Sequence, residues 1–262
     1  MRSLYQVFRD IVHFRALIWG LAVADLKATH RDTILGNIWA LLSPLMRMLV
    51  YMFIVMVVFR SRPPSFPLYL YSALITFGFF RSCVSRGANC IVNGSNLITN
   101  VRVPAIVLPV SLILSEFFEF FFAWIVYFFM FFIVFHIHPT PYMAFFPVMI
   151  VLQLVFNFAF TLYAATIGLF FRDLSNILKF SFRLLWYLSP GLYTVDRIPV
   201  KYQFIYKLNP IYTLYTSYRN PVLYGTSPEW NYLLYFLGLT LFLLVTGAML
   251  FKYKEKVFTK YV

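Results

Sequence analysis

The chain has 262 residues, 61% of them hydrophobic and only 12% charged, with a formal net charge of +13 and a mean hydropathy of +0.77. A soluble domain is about half apolar and about a quarter charged, so a water-soluble protein is excluded. Disorder is excluded too, because it needs low hydrophobicity and high charge. What remains is an integral membrane protein, and its apolar runs of helix-spanning length make it an all-α one.

Residues 1–32 come first. Leu4, Val7, Phe8, Ile11, Phe14 and Ile18 fall near helical spacing, with Arg9, Asp10 and Asp25 between them. This pattern predicts an amphipathic helix lying in the membrane interface; a soluble leader is the alternative. No cleavable signal peptide is expected, since mixed residues precede the first apolar run.

Six apolar segments follow, each of the length a spanning helix needs. They run from about Gly36 to Phe59, Phe66 to Val84, Pro104 to Phe135, Tyr142 to Phe171, Ile177 to Val195 and Trp230 to Phe251. The third exceeds a bilayer core of about 30 Å and must tilt or project. Cys83 and Cys90 offer neither a disulfide framework nor metal-ligand spacing and read as small apolar residues. With the N-terminus inside, thirteen of the 22 Lys and Arg fall on the cytoplasmic side and six outside. Both termini are therefore expected in the cytoplasm.

Three connections carry information. Residues 85–103 read as a polar cytoplasmic segment, and residues 172–176 as a short cytoplasmic turn. Residues 196–229 are too apolar for a solvated loop and too broken by Asn209-Pro210 and Asn220-Pro221 for a span. Short re-entrant outer helices fit, because irregular backbone at membrane depth must be buried in protein or face water. The whole chain thus forms a single transmembrane domain, 1–262.

Charges inside spans are costly and demand a partner. Arg47 lies near the middle of the first span, and Glu116 and Glu119 share a face of the third at i, i+3 spacing. Similar depth and opposite sign predict that Arg47 pairs with one of them, either as a structural ion pair or in a relay lining a channel.

Several chemistries are missing. No glycine is followed by lysine, so there is no phosphate-binding loop for ATP. No H-E-x-x-H, no G-x-S-x-G and no clustered Asp pair occurs. His136 and His138 read as a solvent-facing pair. No catalytic residue, metal site, cofactor or nucleic-acid partner is expected of this chain; a membrane-embedded enzyme of envelope biosynthesis is the outlying alternative.

Several motifs stand in order. Residues Arg31-Asp32-Thr33-Ile34-Leu35-Gly36-Asn37-Ile38-Trp39 precede Leu42-Ser43-Pro44. Asn96-Leu97-Ile98 leads into Val101-Arg102-Val103-Pro104 and Leu108-Pro109. Then come Phe171-Arg172-Asp173-Leu174, Ser189-Pro190, Ile198-Pro199, and Leu208-Asn209-Pro210-Ile211-Tyr212 with Tyr218-Arg219. The series resembles the permease subunits of bacterial ABC exporters for polysaccharides and polyol phosphates. One departure is plain: Ala105-Ile106 is apolar where that family often carries charge after the proline.

The resemblance implies a transport subunit of the bacterial plasma membrane. Two copies would pair with two copies of a separate ATPase that binds ATP and Mg. The cargo would be a lipid-diphosphate-linked glycopolymer, with teichoic acid slightly ahead of O-antigen; a small-lipid or drug permease is the alternative. Coupling to the ATPase would fall to Asn96, Leu97, Arg102, Pro104, Arg172 and Asp173. Asn209, Pro210, Tyr212, Tyr215, Tyr218 and Arg219 would form the outer gate. Their rings would either face sugar or anchor the helix at the lipid interface. Most aromatics of the third span are expected to pack, and a minority to line a conduit.

Overall fold

The computed structural model describes residues 4–29, 38–58, 65–101, 103–195 and 198–261. It is all helix, with no strand among the described residues, an arrangement that satisfies every backbone hydrogen bond within a spanning segment. In chain order the helices are α1 (Leu4–His13), α2 (Arg15–Thr29), α3 (Ile38–Val58), α4 (Phe66–Asn93), α5 (Ser95–Asn100) and α6 (Val107–Phe129). They continue with α7 (Phe146–Phe170), α8 (Leu174–Leu188), α9 (Val200–Leu208), α10 (Pro210–Tyr218) and α11 (Trp230–Tyr261). A π turn, Met130–Val134, prolongs α6, and another, Arg219–Tyr224, prolongs α10.

Four of the expected spans are helices long and apolar enough to cross a bilayer: Phe66–Asn93, Val107–Val134, Pro141–Phe170 and Trp230–Glu255. α4 is central. In its apolar window 78% of residues are buried inside the protein, against 22–28% in the other three. It packs against α3, α6, α7 and α8, while α11 lies along the back of α7. Without a hydrophobic drive between helices in lipid, close backbone contact and buried hydrogen bonds must hold them. Gly168 supplies the contact, since a Cβ there would run into the carbonyl of Ala88. The buried Gln153 supplies a bond, its Nε2 donating to the Thr76 carbonyl at 2.8 Å.

Several boundaries differ from the sequence reading. The second span does not stop at Val84. α4 runs on to Asn93, so half of the segment 85–103 continues a helix, and α5 follows Gly94. It can do so because Arg86 is neutralised inside the bundle and Ala88, Cys90 and Ile91 are buried. The fifth span is shorter than expected. α8 ends at Leu188, about 22 Å after it begins, because Pro190 disfavours helix at Ser189. The N-terminal helix is two helices meeting at Phe14, and α2 packs along α6.

The segment 196–229 does contain short helices, and it breaks at Asn209-Pro210. Asn209 turns extended (φ −66°, ψ 121°), and its side chain accepts from the Ile211 N–H at 3.0 Å as the cap of α10. The second expected break, at Asn220-Pro221, is absent. A proline ring clashes with the carbonyl four residues back in an α-helix, and the wider π turn accommodates it. The chain turns away only at Gly225, whose φ of +61° suits glycine.

Candidate functional site

The two ends of the bundle are distinct. At the end carrying α1 and α2, here the near end, lie the described residues expected to couple to an ATPase. Asn96 is exposed on α5, Leu97 and Pro104 are half-buried beside it, and Arg172 and Asp173 are exposed on the turn into α8. Asn89 joins the two regions, donating to Ser175 Oγ at 2.9 Å. Arg102 lies outside the described residues.

Just inside this end sits a charge network that corrects the pairing expected for Arg47. Glu116, 4% exposed, bonds Arg86 at 2.5 Å, and the same guanidinium reaches Asp25 of α2 at 2.6 Å. Ser115 also donates to Asp25 at 2.6 Å. Arg86 wins because α4 continues as a helix past Val84, which brings its side chain to the level of Glu116. Read as part of a cytoplasmic loop, Arg86 has no reason to meet it. Asp25, Arg86 and Ser115 are the residues that sequence reasoning missed here.

Arg47 instead lines a cavity of about 530 Å³ held between α3, α4 and α8. Three further cations line it: Arg81 of α4, and Lys179 and Arg183 of α8. No acidic residue does so among the described residues. A smaller adjoining recess shares Arg47 and Arg81, and there Glu116 and Glu119 reach the edge. Lys179 and Arg183 stand four apart on one helical face, a pattern already legible in the sequence. The wall between the cations is aromatic, with Trp186 5.3 Å from Phe77 and 5.8 Å from Tyr51 between ring centroids. Tyr51 and Tyr187 pass from this cavity into a second, apolar one of about 940 Å³ toward the far end, along with Tyr193, Tyr202 and Tyr206.

At the far end, the residues expected to form a gate are drawn inward. Tyr212, Tyr215 and Tyr218 are all buried, so their rings neither face a conduit nor anchor at lipid in this structure. Tyr218 stacks into the protein's core beside Trp124 at 5.0 Å. Tyr212 donates to Glu229 at 3.1 Å; burial first, and then that carboxylate, push its phenol above the ordinary range. Arg219, 3% exposed, donates to the carbonyls of Pro190 and Tyr69 at 2.9 Å and of Gly191 at 3.3 Å. Its guanidinium lies 3.4 Å from the centre of the Tyr69 ring, a stacked cation–π arrangement. Asn209 donates to Ser189 Oγ at 3.0 Å, and Pro210 opens α10. The whole set fastens the end of α8 to the start of α4.

A bundle of apolar helices with buried polar ties, four of them long enough to cross a bilayer, defines a multi-pass membrane protein. Residues 16–223 match the family described as ABC-2 type transporter, and the chain belongs to that family. Among curated relatives, it is 29% identical over 257 residues to the O-antigen export system permease protein RfbA of Myxococcus xanthus, covering 97% of this chain and 98% of that one. Two permeases of the same name from Klebsiella pneumoniae are 28% and 27% identical, over 87% and 83% of this chain and 87% and 84% of their own lengths.

Proposed function

We propose that this chain is the membrane subunit of an exporter for a lipid-diphosphate-linked polysaccharide of the O-antigen kind. The observation that carries the reading is likeness to O-antigen export permeases over almost the full length of both chains. Two copies would face each other across α3 and α8, whose exposed apolar residues include Phe53, Ile54, Phe180 and Leu184. The tyrosines of the apolar cavity would then line a path on which sugar rings slide, with two copies of a separate ATPase binding ATP and Mg at the near end. The protein would lie in the inner membrane with both termini cytoplasmic, consistent with the excess of Lys and Arg on that side.

The relatives' names support an O-antigen cargo over teichoic acid. Arg219 is committed to carbonyls of its own chain and so is not offered to the phosphates of a polyol-phosphate polymer. The test is complementation with the cognate ATPase in a strain lacking its own O-antigen permease. Surface polysaccharide should return, and should not return with an ATPase whose catalytic site is disabled. Restoration of polyol-phosphate polymer alone would move the reading to teichoic acid. Failure of any ATPase to co-purify with the chain would favour a membrane enzyme or another carrier.

A further inference from the structure

The near end of α11 concentrates positive charge that the bundle does not answer. Lys252, Lys254, Lys256 and Lys260 fall within nine residues of the chain, with Glu255 the one acid among them. Glu255 shares a helical face with Lys252, three residues away, and not with Lys254. The Lys254 ammonium lies 5.4 Å from the centres of both the Phe170 and the Tyr253 rings, a cation–π setting. No carboxylate pairs with it among the described residues. Arg172 is exposed and follows two residues after Phe170, on the turn that leaves α7. The place is the membrane boundary, since Phe170 ends one apolar span and Lys254 lies in the last turn of another.

We propose that this end of α7 and α11 binds an anionic glycerophospholipid of the adjoining leaflet, with Lys254 and Arg172 holding its phosphate and the groove between the two helices its acyl chains. A cluster of lysines and arginines at the end of a spanning helix attracts anionic head groups. A lysine at the boundary lays its stem along apolar surface and lifts its ammonium to the head-group level, where phosphate oxygens accept its hydrogen bonds. A tyrosine beside it sits well there, its ring in the apolar layer and its hydroxyl among the head groups.

The surroundings choose a lipid over a soluble partner or a free anion. On the membrane side of Lys254, α11 exposes Val245, Met249 and Tyr253, four residues apart on one face, Met249 by 64% and Tyr253 by 76%. On α7, packed along it, Ile167 and Phe170 are exposed as well. These apolar stripes lie within the spans, where a soluble ATPase does not reach. The other face of the same turns is closed, with Phe251 and Phe258 buried together with Ile98 of α5 and Ile106. A lipid held at Lys254 therefore steadies the last turns of α11 and, through Phe258, the segment α5. The site does not depend on which polymer the chain exports.

The test uses the full chain in nanodiscs of mixed phosphatidylglycerol and phosphatidylcholine, with native mass spectrometry counting the lipids each chain keeps. The parent should keep phosphatidylglycerol in preference to phosphatidylcholine, and Lys254→Gln should cut that preference about fivefold. Lys254→Gln/Arg172→Gln should cut it further, whereas Lys254→Arg should hold it. Lys201→Gln removes a similarly placed cation at the far end, 5.7 Å from the Tyr202 ring, and should change nothing. If the Lys254 variants do not fold, the exposed Arg172→Gln carries the test. Phosphatidylglycerol should also raise the melting temperature of the parent and not that of the double variant. Equal retention of the two lipids by the parent would overturn the site, as would an equal loss in Lys201→Gln. Glycerol phosphate raising the melting temperature as far as phosphatidylglycerol does would overturn the lipid. A preference that vanishes once an ATPase is bound would give the patch to that partner instead.

Discussion

Arg219 at the far end and Arg183 at the near half make an instructive pair. Both are arginines in a predominantly apolar protein. Arg219 is enclosed by acceptors from its own chain, fastening the end of α8 to α4 and α10. Arg183 is exposed to a cavity that it shares with three other cations. A buried charge whose every donor is met by the chain is part of the scaffold. A charge that shares a cavity with others of its sign is not tied into the scaffold in that way. Between the two stands Arg86, matched by carboxylates from α2 and α6 and so a joint between the N-terminal helices and the bundle.

Stability measurements can break or sharpen that contrast. Arg219→Met should have the largest effect, about 4 kcal/mol of destabilisation, because it removes several charge-assisted bonds and leaves buried carbonyls without a donor. Thermal unfolding in detergent would show it, and Arg219→Lys should recover little because an ammonium cannot fork across the carbonyls. A loss under about 1 kcal/mol would mean that Arg219 is not scaffold.

Arg86→Met should cost about 3 kcal/mol by leaving the Glu116 carboxylate buried without its cation. Adding Glu116→Gln should return part of that loss, whereas adding Glu119→Gln should return less. Equal rescue by both would dissolve the distinction between the two glutamates.

Gly168→Ala should cost about 1–3 kcal/mol, as the added methyl pushes α7 off the Ala88 carbonyl. The same change at Gly78, where a Cβ meets nothing within 4 Å, should be neutral or slightly stabilising. Tyr212→Phe should cost about 1 kcal/mol through the bond to Glu229. Arg183→Gln belongs at the bottom of the scale, within about 0.5 kcal/mol of the parent or slightly above it, since it relieves repulsion with Lys179. A large destabilisation there would show that the cavity's cations are structural after all.

The sequence by itself determined that this is a helical membrane protein, where most of its spans lie, and that it lacks a nucleotide-binding loop. These follow from local quantities: runs of apolar residues, the spacing of prolines, and the absence of a motif. The Asn209 break was legible for the same reason, since one residue's backbone preference decides it. What Asn220-Pro221 would do was not legible, because a π turn trades one local cost against packing around Pro221 and Val222. Tertiary structure alone decided that Glu116 meets Arg86 rather than Arg47. That choice depends on how far α4 continues and on α2 bringing Asp25 to the same guanidinium. It likewise turned the tyrosines of α10 and Arg219 inward, and gathered Arg47, Arg81, Lys179 and Arg183 from three helices around one space. Charge and periodicity show which face of a helix a residue occupies. Only the packing of whole helices sets which faces meet, and so which charges are answered within the chain and which line a cavity.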